Sequence, residues 1–382
     1  MRIIRVLPSL VLALGSWNAM AADDHDHDHQ HGHQGTGFYG HLHAKVLFDH
    51  VYDAEESDEE INEAYTHSHL ELGYGFENGL SFNTNLELEG EPGGHDHHGG
   101  GSELDGNNRY FEDTPLFVRS LTVNYDRKSF GLYAGKFDPV ISLDQHAMPG
   151  IYGYQIVDEY TVREKIGFGG YGQLNAGDYG KHRLDVSTFF SDTTFLSNSV
   201  LHERGQTKEE DGGVANTEDF SSIAISLGGR DFYSLNSDIP EGLSYRIGFA
   251  HQAAGEGDEE DETRFSISGQ YEHVFTSDLK GRVLGEIVHI NHLNGEAPHD
   301  RTYKTVGAEL TYDQWVAGST FTHIGNDNPE EADEAIDGKV FQASLEYRFQ
   351  NGISLGGGYK YQDVEGEENH RLGAMLSYSL EF

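Results

Sequence analysis

Cysteine is absent from the 382 residues, and basic side chains are scarce: 25 Lys and Arg against 65 Asp and Glu. Without thiols there is no disulfide framework, no thiolate metal site and no cysteine nucleophile, a composition suited to an exported chain that folds without oxidation. A net charge of −40 leaves no broad basic surface for a phosphate backbone, which argues against nucleic acid as a partner. Long apolar runs are missing too. Mean hydropathy is −0.59, and beyond the N-terminal segment no apolar stretch reaches the roughly 20 residues a transmembrane helix needs. A membrane β-barrel stays open, because apolar and polar residues alternate along its strands and average out. No phosphate-binding loop or zinc-peptidase helix motif is present and no Gly-x-Ser-x-Gly elbow is read in the chain, so an enzyme is not expected.

What the chain does contain begins with an export signal. Arg2 and Arg5 precede an apolar stretch from Val6 to Leu14, and Ala19-Met20-Ala21 has the small-x-small form of a cleavage site. This predicts a signal peptide over 1–21, followed by a His/Asp-rich periplasmic leader over 22–36.

From residue 37 onward one unit repeats, a run of about ten alternating residues and a connector. Phe38, Gly40, Leu42, Ala44, Val46 and Phe48 fall on one face of the first run, with Tyr39, His41, His43, Lys45 and Leu47 on the other. Leu80 to Glu89 and Arg371 to Phe382 behave alike. Two unlike environments on the two faces of a strand give this period of two. About sixteen strands are predicted, near 37–48, 65–77, 80–90, 115–126, 129–137, 164–175, 181–191, 219–230, 243–254, 263–275, 279–292, 302–313, 315–325, 339–349, 352–363 and 370–382. Arg119 and Lys136 interrupt the alternation, and no amphipathic helix is read. Connectors alternate between tight turns such as Glu77-Asn78-Gly79 and long acidic loops such as Asp192 to Glu218. The expected fold is therefore an all-β, transmembrane, antiparallel up-and-down barrel over 37–382, with short periplasmic turns, long acidic extracellular loops and both termini in the periplasm. Closure is required because hydrocarbon leaves no partner for an open sheet edge. Tyr74, Phe76, Tyr125, Trp315, Tyr347, Phe349 and Tyr378 suit interfacial girdles.

The closing run Ala374 to Phe382 ends in Phe with apolar residues at alternate positions, and with the signal peptide and hairpin rhythm it resembles bacterial outer-membrane porins over the whole mature chain. Tyr133 to Tyr154 is similar to a segment of phosphate-selective and siderophore porins, without a match that carries their ligand residues over. The resemblance implies residence in the bacterial outer membrane among lipid and lipopolysaccharide, and recognition of the Phe382-ending strand by the barrel-insertion machinery. It also implies a homotrimer and passive diffusion of small hydrophilic solutes without a required cofactor.

Porins of this rhythm fold the third outer loop, here 139–163, into the barrel. Asp144, Asp158 and Glu159 would supply negative charge there, and by parity Arg183, Arg246, Lys280, Arg282, Arg348, Lys360 and Arg371 face the lumen opposite them. Acidic clusters in the other loops, Glu55-Glu56, Asp58 to Glu60, Glu259 to Glu262 and Glu330-Glu331, favour cations in the pore and offer Ca or Mg contacts. The 23 histidines form clusters with metal-ligand chemistry. His25, His27, His29, His31 and His33 in the leader and His95, His97 and His98 in the second loop suit Zn or another divalent cation, held flexibly. His41 and His43 share one lumen face with His67 and His69 of the next strand, and a register bringing His43 opposite His69 would make a metal-capable patch. The alternative function is a substrate-specific porin for ion transport of zinc or uptake of an iron-siderophore.

Overall fold

The computed structural model describes residues 36–90, 106–232, 242–327, 337–364 and 367–382. The signal peptide, the leader, the 95–98 histidine cluster and Glu330-Glu331 lie outside the described residues. Sixteen strands form the barrel wall. They are β1 (Gly37–Ala54), β2 (Asn62–Gly75), β3 (Leu80–Glu89), β4 (Leu116–Arg127), β5 (Phe130–Phe137), β6 (Lys165–Asn175), β7 (Lys181–Ser191) and β8 (Ser222–Arg230). Then follow β9 (Leu243–Gln252), β10 (Glu262–Thr276), β11 (Leu279–Asn291), β12 (Asp300–Tyr312), β13 (Trp315–Asp327), β14 (Gly338–Arg348), β15 (Ile353–Val364) and β16 (Glu367–Glu381). Each pairs antiparallel with its sequence neighbours, and β16 closes on β1 with Leu42 opposite Leu380 and Val46 opposite Leu376. The chain end seals this seam: Gly40 and Phe382 exchange backbone hydrogen bonds of 2.8 and 3.0 Å, and the Phe382 ring packs on Phe38. Two dipeptides outside the wall, Arg109–Tyr110 and Ser199–Val200, add short ladders to β2 and β4.

Alternation explains the wall. Lys45, Leu47 and Asp49 are buried while Val46 and Phe48 between them are exposed. Around the barrel the exposed set is apolar, among it Leu132, Phe168, Val186, Phe265, Val283 and Leu372. The buried set on the other face is largely polar, with Ser226, Ser266, Thr305, Thr322 and Gln342. Apolar outside and polar inside inverts a soluble protein, and is stable only with hydrocarbon around the cylinder.

Arg119 breaks the alternation for a local reason. Asn85 pairs with Ser120 and Leu86 with Val118, so a bulge places Arg119 as the extra residue and turns it inward without shifting the rest of β4. At Lys136 the preceding Gly135 has φ +136°, where Leu121 opposes Lys136. The seven aromatic residues expected in two girdles all gather at the short-turn end, where Trp315, Tyr347 and Phe349 meet edge to face at 4.8 Å. At the long-loop end Tyr52, Tyr359 and Tyr361 surround His370 instead. A helix does form against expectation: α1 (Gly153–Asp158), six residues long and too short to show a periodic signature.

Candidate functional site in the barrel interior

The loop joining β5 to β6, residues 138–164, runs inside the barrel. Its path is set by wall positions without side chains. A Cβ on Gly248 would sit 1.8 Å from the Ile141 carbonyl oxygen, and one on Gly373 would sit 1.8 Å from Tyr152 Oη. Apolar packing holds one flank: Met148, Ile156, Val157 and Tyr160 bury against Leu284, Val288, Ile290, Tyr303 and Ile324 of β11, β12 and β13. Full burial of side chains of this size contributes about 1.5–3 kcal/mol each.

Hydrogen bonds fix the remainder. Glu286 of β11 accepts from the Leu143 backbone N–H at 2.8 Å and from Tyr160 Oη at 2.6 Å. The Pro149 carbonyl accepts from Thr320 at 2.9 Å and from Gln342. On the opposite wall Tyr152 donates to Asp49 at 2.6 Å and Tyr65 donates to the other Asp49 oxygen at 3.0 Å. Lys360 donates to Gln155 at 2.8 Å, and Arg371 lies 3.3 Å from Glu63 and 3.7 Å from Asp49. The loop therefore touches the wall on β9 to β16 and on β1 to β3.

The expected constriction charges divide by height. Parity fixes the face of a strand, and Lys360 does meet the inward loop, while Arg371 meets Asp49, the acceptor of Tyr152. Arg183, Lys280, Arg282 and Arg348 face the interior but sit within four residues of the short-turn end of their strands, away from the loop. There Arg183 pairs with Asp185 at 2.8 Å over the Tyr171 ring, Arg282 with Glu309 at 3.2 Å and Arg348 with Glu346 at 3.1 Å. Arg246, mid-strand on β9, reaches Ser226 at 3.5 Å. Of the loop acids, Asp144 caps a single turn by accepting from the His146 N–H at 2.7 Å. Asp158 is buried and pairs with Arg163 of its own loop at 3.2 Å. Burial pushes its carboxyl up, against the pull of the Arg163 charge. Glu159 is half-buried at the end of α1. Acids on the loop and bases on the wall are thus not segregated to two sides; Asp158, Arg183, Arg282, Arg348 and Arg371 each have an opposite charge close by, because an unpaired charge in a confined interior is expensive.

Several charged residues around the inward loop carry no signal in the sequence beyond strand parity. Arg119 pairs with Asp138 at 2.6 Å and approaches Glu87 at 3.6 Å, and Arg163 meets Glu89 at 3.5 Å. The parity argument that found Lys360 applies equally to Lys45, Glu63, Glu87, Glu89 and Glu286. At the loop's exit Glu164 binds Arg204 at 2.5 Å and Lys136 at 2.7 Å, and Lys136 also binds Asp192 at 2.8 Å. These pairs tie the fourth long loop to the third. Burial acts to raise the Glu164 carboxyl, but the Arg204 hydrogen bond and the Lys136 charge hold it down at about 2.

The histidine register is the one that assembles a patch: His43 lies opposite His69 and His41 opposite Glu71. The His43 and His69 rings are 5.2 Å apart, those of His41 and His69 5.6 Å, and His146 from the inward loop comes within 5.4 Å of His69. His67 stacks on Tyr154 at 4.1 Å and bonds Glu89 through Nδ1 at 3.0 Å.

No protein-family model matches the chain, and no curated protein does. Solved structures do. Pseudomonas putida OprB matches with a TM-score of 0.62 at 9% identity, over 91% of this chain and 94% of that one. Pseudomonas aeruginosa OpdK, solved with vanillate, matches with a TM-score of 0.51 at 10% identity, over 91% of this chain and 100% of that one. The chain folds as a bacterial outer-membrane β-barrel. Identities this low carry the fold alone.

One sequence feature of the outer-membrane barrel needs correction. Gly352-Ile353-Ser354-Leu355-Gly356 does have the Gly-x-Ser-x-Gly spacing, contrary to the expectation that the chain lacks it. Ser354 lies in extended β15, paired with Arg348 on one side and Ser377 on the other, rather than on a strand-to-helix turn. The spacing is there without the elbow that would expose a nucleophile.

Proposed function

We propose that this barrel is a porin, an aqueous channel for passive diffusion of small hydrophilic solutes that favours cations. The observation that carries the reading is the inward loop: a long connector that turns into a polar lumen and is fastened on both sides narrows a passage instead of capping it. Preference for cations rests on the exposed carboxylates of Glu55, Glu56, Asp58 and Glu60 and of Glu259, Glu260 and Asp261 around the long-loop mouth. Such a ring concentrates cations at the entrance and repels anions, an effect that fades as salt screens it. Reconstitution of the purified protein in planar bilayers tests both parts. Discrete conductance steps are expected, with a reversal potential on the cation side under a KCl gradient that moves toward zero when these seven acids are neutralised. The absence of steps from folded protein would count against the porin, and an anion-side potential against the preference. Insertion through the Phe382-ending strand, contact with lipopolysaccharide and assembly as a homotrimer belong to the same proposal.

A second reading, passage of a divalent metal ion, is supported by the lumen histidines. The iron-siderophore form of that reading rests on the sequence resemblance alone.

A further inference from the structure

We propose that His41, His69 and Glu71 on the lumen wall form a site for a divalent transition-metal ion, zinc being the probe of choice, and that His146 of the inward loop supplies a further ligand. The inference rests on the porin reading for its consequence, and on geometry for the site itself. One ligand atom from each of His41, His69 and Glu71 lies within 4.8 Å of the others. Two imidazoles sharing a tetrahedral zinc, with Zn–N near 2.0–2.1 Å, put their ring centres on the order of 5 Å apart. His69 stands at 5.6 Å from His41 and 5.4 Å from His146, and the His41 ring is edge-on to it at 66°. The His43 ring lies 5.2 Å away but nearly parallel at 25°, and its Nδ1 is 2.8 Å from Ser379 Oγ, so it flanks the site instead of ligating.

The ligands come from elements of different kinds. His41, His69 and Glu71 sit on paired strands in register, so their spacing is held by the β1–β2 ladder. His146 belongs to the turn capped by Asp144 in the loop that crosses the lumen. The neighbouring His67 points the same way chemically. Its Nδ1 is engaged by Glu89, the carboxylate pattern that leaves the other nitrogen unprotonated and available, and its buried Nε2 has no hydrogen-bond partner among the described residues. Imidazole nitrogens with one carboxylate favour Zn, Ni or Cu over Ca or Mg, which want an all-oxygen shell. An ion held between wall and inward loop occupies the passage itself. Micromolar zinc is therefore expected to lower the conductance of the open channel reversibly.

The test uses full-length protein in which His25, His27, His29, His31, His33, His95, His97 and His98 are replaced by Ser, so that the tail and outer loop do not compete. Zinc is titrated against single-channel conductance, each variant being referred to its own metal-free value, and zinc binding is measured in parallel by equilibrium dialysis of the detergent-folded barrel. His41→Ala with His69→Ala is expected to weaken both readouts by about 100-fold or more, and His146→Ala by about 10-fold, given that loss of a second-shell partner alone weakens metal binding about 10- to 100-fold. His289→Ala, which alters a histidine bonded to Thr302 on the outer face, is expected to leave both unchanged. Zinc affinity that survives the His41/His69 double substitution overturns the site. Unchanged affinity in His146→Ala overturns the loop's part in it. A folded protein that never conducts yet loses zinc in the double variant overturns the porin reading and leaves the site standing.

Discussion

Replacing Glu286 by Ala tests how the inward loop is held. The residue is 3% exposed, and its carboxylate accepts two hydrogen bonds from the loop, one from the Leu143 N–H at 2.8 Å and one from Tyr160 Oη at 2.6 Å. Truncation strands both donors, and a buried donor left without an acceptor costs about 1–3 kcal/mol. The loop's attachment to β11 should weaken by about 2–6 kcal/mol in total. Apolar contacts of Met148, Ile156 and Val157 oppose release, at about 1.5–3 kcal/mol for each side chain fully buried. The two magnitudes are comparable, so partial detachment is expected, with the wall intact because β10 to β12 keep their backbone ladders. Tyr160→Phe removes one donor and leaves Leu143 bonded, and should have the smaller effect. In bilayer recordings Glu286→Ala should raise the mean conductance and the open-channel noise, and in detergent it should expose the loop to protease, in the order Glu286→Ala, Tyr160→Phe, parent. Identical conductance, noise and cleavage in all three would refute the anchoring argument.

Other perturbations have equally definite outcomes. Gly373→Ala sets a methyl where Tyr152 Oη now lies, so the Tyr152 to Asp49 bond must break; loop cleavage by protease should increase without loss of barrel formation on a semi-native gel. Arg119→Ala leaves Glu87 and Asp138 without their cation. Breaking a buried pair this way typically costs about 3–5 kcal/mol, visible as a lower unfolding temperature of the detergent-folded barrel. The Glu164 carboxyl is held at about 2, below its ordinary 4.5. A depressed carboxylate stabilises the folded arrangement fully above its ordinary value and loses that contribution as pH falls toward 2. Protease access to the 192–218 loop, tied down through Arg204 and Lys136, should therefore rise below about pH 4 and not between pH 6 and 8; Glu164→Gln should show the raised access at neutral pH as well.

Most of the wall was legible because a barrel strand writes its two environments directly into the chain. β3, β7 and β12 lie within two residues of the spans expected for them. The ends that differ mix polar and apolar residues: β1 runs on through Asp49, His50 and Asp53 to Ala54 and β2 starts at Asn62, where apolar and polar residues no longer sort by face once the strand leaves the apolar layer. Lumen facing was legible by the same parity; the His43 to His69 register was one of several the sequence allowed, because a long connector rather than a tight turn joins the two strands. Height was read poorly. Arg183 and Arg348 share a face with Lys360 yet pair with Asp185 and Glu346 at the short-turn end, since which lumen charge reaches the loop depends on how the loop folds back. That fold depends on Leu284, Val288 and Ile290, apolar residues on a polar face, and on glycines such as Gly248 and Gly373 that make room for backbone and phenol. Contacts of this kind, such as that of Gly373 with Tyr152, join segments far apart in the chain and leave no periodic trace.

Single-channel recording of the purified, detergent-folded protein in planar bilayers is the most direct measurement. Stable conductance steps are expected, with a cation-side reversal potential and an increase in step size on Glu286→Ala. A folded protein that inserts without conducting, or whose conductance ignores the loop variants, would contradict an aqueous passage narrowed by residues 138–164.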